Sequence, residues 1–149
     1  MGQVRADLQG PEAQERKGPR GAEARPMSPH LGIWRWHITM ACSIFHRASG
    51  IALYVGALIL ADWALALASG PDAYAGYTGL LGTILGKLVL FGLTVAAFYH
   101  LASGLRHLVW DSGHGYDPKT SDLTGAACIA FGVVAALAVW LIAFRMGAL

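Results

Sequence analysis

Three apolar stretches, each close to the length needed to cross a bilayer, constrain this chain more than any other feature. They read ASGIALYVGALILADWALALA (48–68), LLGTILGKLVLFGLTVAAFYHLASGL (80–105, continuing to Trp110) and TGAACIAFGVVAALAVWLIAF (124–144). A helix rising ~1.5 Å per residue needs about 20 mostly apolar residues to span the hydrocarbon core. Backbone in lipid must satisfy its own hydrogen bonds, so each stretch reads as a helix, the first starting as early as His37. Of the 149 residues, 55% are hydrophobic and 13% charged; a soluble domain carries about 25% charged residues. The expected fold class is an all-α membrane protein with three transmembrane helices, forming one domain over residues 26–149. That leaves no room for a separate catalytic headpiece, and membrane lipid rather than nucleic acid is the expected surrounding.

Residues 1–25 are rich in Gly, Ala, Pro and charge, and are expected to form a disordered tail. The tail lacks the apolar run of a secretory signal. Its acidic residues (Asp7, Glu12, Glu15 and Glu23) are unlike a mitochondrial transit peptide. A bacterial inner membrane is therefore expected ahead of a mitochondrial one. Seven of the eleven Lys and Arg precede residue 48. The connection SGPDAYAGYTG carries none, whereas Lys119 lies in DSGHGYDPKTSD. By the positive-inside rule the N-terminus and second connection lie inside, and the first connection and C-terminus outside. Trp34, Trp36 and Trp110 then fall at the inner interface, where tryptophan anchors helices. Cys42 and Cys128 form no CxxC and read as small buried residues.

Ionisable groups inside a membrane are costly and need an explanation. Asp62 and Lys87 sit near the outer ends of two antiparallel helices and are expected to pair or to snorkel. His100 is different. It lies eleven residues before Asp111, or ~16 Å along a helix, near mid-membrane. It needs either a hydrogen bond from a neighbouring helix or a metal, and haem iron accepts a neutral imidazole axially. Gly104 and His107 share its face by i+4 and i+7 spacing. Gly104 would leave a flat gap. His107 and the adjacent Arg106 could face haem propionates, or simply anchor the interface. The other histidines lie near or beyond the inner end, so a haem would take its second axial ligand from another chain. An obligate partner follows.

A second constellation opens the first helix in CSIFHRASG (42–50). Ser43 and Arg47 are i, i+4 neighbours, with His46 close to both. A hydroxyl beside a fixed cation suits a quinone carbonyl that gains negative charge on reduction. Capping and interfacial anchoring fit the same residues.

Three blocks, RPMSPHLGIWRW (25–36), SIFHRASG (43–50) and HLASGLRHLVWD (100–111), resemble the cytochrome b membrane-anchor subunit of succinate dehydrogenase, respiratory complex II. The resemblance covers about residue 25 to the C-terminus, and the blocks are collinear. Departures are Trp34 for a frequent Tyr, Phe45 for Leu and Ser103 for Asn. The resemblance implies that His100 is an axial ligand of haem b, the other axial histidine coming from a second membrane-anchor subunit. It implies that Ser43 and Arg47 bind ubiquinone, and that His46, Arg47 and His107 lie near the haem propionates. An iron–sulfur subunit and a flavoprotein subunit would complete the complex. The anchor of a quinol:fumarate reductase and a haem-free scaffold are the rival readings.

Overall fold

The computed structural model describes residues 28–147; the tail expected at 1–25 lies outside them. The chain divides into two units, before and after the Arg35–Trp36 boundary. The described part of the first is short. It holds a single 3-10 turn at His30–Ile33, entered by the Ser28 hydroxyl accepting from the His30 amide.

The second unit is entirely helical. Helix α1 runs Ile38–Ser69, α2 Pro71–Leu81, α3 Ile84–Asp111 and α4 Pro118–Arg145. Helices α1, α3 and α4 are long and apolar enough to cross a membrane. At ~1.5 Å per residue, even the 28-residue α3 and α4 outrun a hydrocarbon core of about 30 Å, so their ends reach the interface. Local chemistry sets the ends. Gly70, at φ 114°, closes α1 in a backbone conformation that other residues resist. Thr83 caps α3 by accepting from the Gly86 amide, and Asp117 caps α4 by accepting from the Thr120 amide.

The first connection differs from the expectation. SGPDAYAGYTG is largely helix α2, not a loop. Pro71 occupies its first turn, where a missing N–H costs nothing, and Asp72 suits the positive helix end. Tyr74, Tyr77, Thr78 and Leu81 are half-buried at helical spacing and form one face. That face is held to α1: the Tyr77 hydroxyl donates to the Ile59 carbonyl at 2.8 Å, and Trp63 meets Tyr74 edge-on. Because α2 occupies residues 71–81, α3 begins at Ile84 rather than near 80. Asp62 is then seven residues from the end of α1, while Lys87 is only three from the start of α3. Across the α1–α3 contact Gly56 meets Leu93 and Ser49 meets His100, an antiparallel register that puts Asp62 and Lys87 at one level. Among the described residues no ion pair joins them, so of pairing and snorkelling the pairing is not seen.

Helix α3 is central and packs most extensively on α4. Small residues permit this: a Cβ on Gly132 would lie 2.8 Å from that of Tyr99. The buried residues are small or polar, and include Cys42, Ser49, Ser103, Cys128 and Ala136. Both cysteines are buried and free, as expected. Most large apolar side chains point outward, Leu58, Leu88, Leu101, Val134 and Ile142 among them. The four helices of this unit do not cover them, so lipid or a partner helix must.

Candidate haem and quinone site

The residues singled out in two distant blocks converge where the early turns of α1 cross the last turns of α3. The His46 and His100 rings stack with centroids 4.1 Å apart and planes 10° from parallel. His107 lies 4.8 Å from His46 by the same measure, its plane tilted by 30°, so His46 touches both α3 histidines. The rings lie face to face and do not converge on a common point, and no group of three metal-ligating side chains is arranged around one among the described residues.

Three contacts orient His100. Its Nδ1 lies 3.0 Å from the Ser49 hydroxyl. His46 covers one ring face. A Cβ on Gly50 would stand 3.2 Å from Cε1, so Gly50 leaves just enough space for the ring edge. Nδ1 of His100 is thus tied to the neighbouring helix α1. Nε2, the other ring nitrogen, makes no hydrogen bond among the described residues. His46 Nδ1 is buried and also has no partner. His107 Nδ1 lies 2.6 Å from the Ser103 carbonyl, to which it donates. A Cβ on Gly104 would meet nothing within 4 Å, so the space at that position is open.

Ser43 and Arg47 occupy the exposed side of the same turns of α1. The Arg47 guanidinium donates to Ser43 Oγ at 3.0 Å. Having accepted that bond, the hydroxyl keeps its own proton for an outside acceptor, and the cation polarises it toward donation.

Of the two readings offered for Arg106, the one that turns it toward the histidine cluster is not seen. The side chain is 8% exposed and turned into α4. Its Nε donates to Thr124 Oγ1 at 3.0 Å, and one terminal nitrogen donates to the carbonyl and hydroxyl of Ser121 at 2.8 and 2.9 Å. The guanidinium carbon lies 3.8 Å from the centroid of the Trp110 ring, a cation–π contact. These partners hold α3 to α4. Trp110, expected as an interfacial anchor, is also part of that clamp, its indole N–H donating to the Gly115 carbonyl.

Two contributing residues were missed in the sequence. Ser49 is buried between α1 and α3, and the Tyr99 hydroxyl donates to the Cys42 carbonyl at 2.8 Å. Ser49 had a signal, being a hydroxyl three residues beyond His46 in an otherwise apolar run.

Comparison with known proteins shows the family. Residues 21–139 match the family described as the succinate dehydrogenase/fumarate reductase transmembrane subunit. The chain is 35% identical over 116 residues to the succinate dehydrogenase cytochrome b556 subunit of Rickettsia felis, covering 78% of this chain and 90% of that one. It is 35% identical over 120 residues to the subunit of the same name from Paracoccus denitrificans, covering 80% and 92%. A mitochondrial cytochrome b560 subunit from Mus musculus is 38% identical over 112 residues, covering 74% and 66%. With three spans and bacterial relatives of this kind, it is a multi-pass protein of the inner membrane. The chain belongs to the succinate dehydrogenase/fumarate reductase transmembrane subunit family.

Proposed function

We propose that the chain is the cytochrome b anchor of a succinate:quinone oxidoreductase, holding haem b jointly with a second membrane-anchor subunit and forming part of a ubiquinone-reduction site. The observation that carries this reading is His100: a histidine well inside a spanning helix, buttressed on one face and at one edge, with Nε2 left unbonded. The residues fit the group. Gly104 leaves open space on the His100 face of α3, and His46 Nδ1 is a buried polar atom with no partner within the chain, as a site that a bound group completes would leave. Haem b, when bound, supplies a one-electron centre within the membrane. The exposed apolar flanks suit the second anchor, whose histidine would complete the ligation.

Ser43 donates to a quinone carbonyl, and Arg47 offsets the negative charge that reduction places on that oxygen. Both sit at the start of α1, which the excess of positive charge assigns to the inner side. An iron–sulfur subunit docked there, fed by a flavoprotein subunit that oxidises succinate, would deliver electrons close to this pair. The chain itself carries no part of succinate oxidation.

The test is to purify the assembled complex and measure two activities. Ser43→Ala and Arg47→Ala should each lower ubiquinone reduction by at least about tenfold, the loss of one charge-assisted hydrogen bond, while succinate oxidation by an artificial acceptor at the flavoprotein is unchanged. Equal loss of both activities would mean failed assembly, and no loss of either would refute the quinone site.

A further inference from the structure

Ser49 is 7% exposed and lies at the contact between α1 and α3, with Oγ near two acceptor-capable atoms. One is the His46 carbonyl at 2.9 Å, the other His100 Nδ1 at 3.0 Å. A carbonyl oxygen can only accept. If the hydroxyl proton pointed to His100 instead, Oγ and the carbonyl oxygen would face each other at 2.9 Å with no proton between them. The proton therefore goes to His46. Toward His100 the hydroxyl can only accept, so Nδ1 must carry the imidazole N–H. A neutral imidazole has one such proton, which leaves Nε2 with its lone pair free.

We infer that Ser49 is a positioning residue for the haem: it fixes the tautomer and ring direction of His100, so that Nε2 is held ready to ligate iron. The inference rests on the haem reading above. His46 serves twice, its carbonyl aiming the serine and its ring backing the histidine. The hydrogen bond from Nδ1–H also makes the ligand more electron-rich, as acceptors behind metal-bound histidines do. An electron-rich ligand favours the oxidised iron, so removing the acceptor should raise the midpoint potential.

The experiment uses the purified complex with wild-type, Ser49→Ala, Ser49→Thr and Ser49→Val chains. Haem retention during dilution and the haem midpoint potential are read optically. Flavoprotein-site succinate oxidation reports assembly. Ser49→Ala should assemble, hold haem roughly 10- to 100-fold less tightly and show a raised potential. Threonine keeps the hydroxyl and should restore both values. Threonine and valine share a shape and differ in that hydroxyl, so this pair decides the matter even if the alanine variant does not assemble. A valine variant with the potential and retention of the threonine variant would overturn the inference, as would wild-type values in Ser49→Ala. Failure of the parent reading looks different: the wild-type complex would show no b-type signal at all.

Discussion

Two polar clusters lie within two turns of each other on α3, and they are used differently. Toward α4, Arg106 has committed its guanidinium to Ser121, Thr124 and the face of Trp110. Toward α1, His100 and His46 each keep a ring nitrogen without a hydrogen bond, and Ser43 keeps a hydroxyl proton. Burial of polar groups is expensive in both places. On the α4 side the cost is offset within the chain. On the α1 side the buried His46 Nδ1 and the unbonded His100 Nε2 find no such partner among the described residues. On the proposed reading that difference separates a structural clamp from a binding site, and Arg106, the more conspicuous residue, belongs to the clamp.

The largest effect on the clamp should come from Arg106→Gln. Loss of the bonds to Ser121 and Thr124 should cost roughly 2–4 kcal/mol. The check is the thermal midpoint of the purified complex, which should fall while the quinone-reduction rate per assembled complex stays near wild type. A stable complex with impaired quinone reduction would move Arg106 into the site. A smaller effect is expected from Tyr99→Phe, which removes one buried hydrogen bond to the Cys42 carbonyl across the α1–α3 contact. Its cost is about 1 kcal/mol, seen as a slightly lower thermal midpoint with an unchanged visible spectrum. A changed spectrum would mean that Tyr99 helps to set the α1–α3 register at the histidines.

Much of this was legible in the sequence because the membrane imposes simple rules. Length and hydropathy located α1, α3 and α4, and the depth of His100 followed from counting residues to Asp111. Helix α2 was hidden by Pro71, Gly76 and Gly79, which read as a loop; its Tyr74–Tyr77–Leu81 spacing was the signal, and its stability comes from α1. That hidden helix also displaced the start of α3. The directions taken by Arg106 and Ser49 were not legible. Each depends on how one helix is rotated against another, which periodicity along a single helix does not report.

The most direct test of the contrast is the reduced-minus-oxidised visible spectrum, per assembled complex, of His100→Ala beside Arg106→Gln. The account predicts that the b-type signal is lost in the first and kept in the second. A signal that survives His100→Ala, or that disappears only with Arg106→Gln, would contradict it.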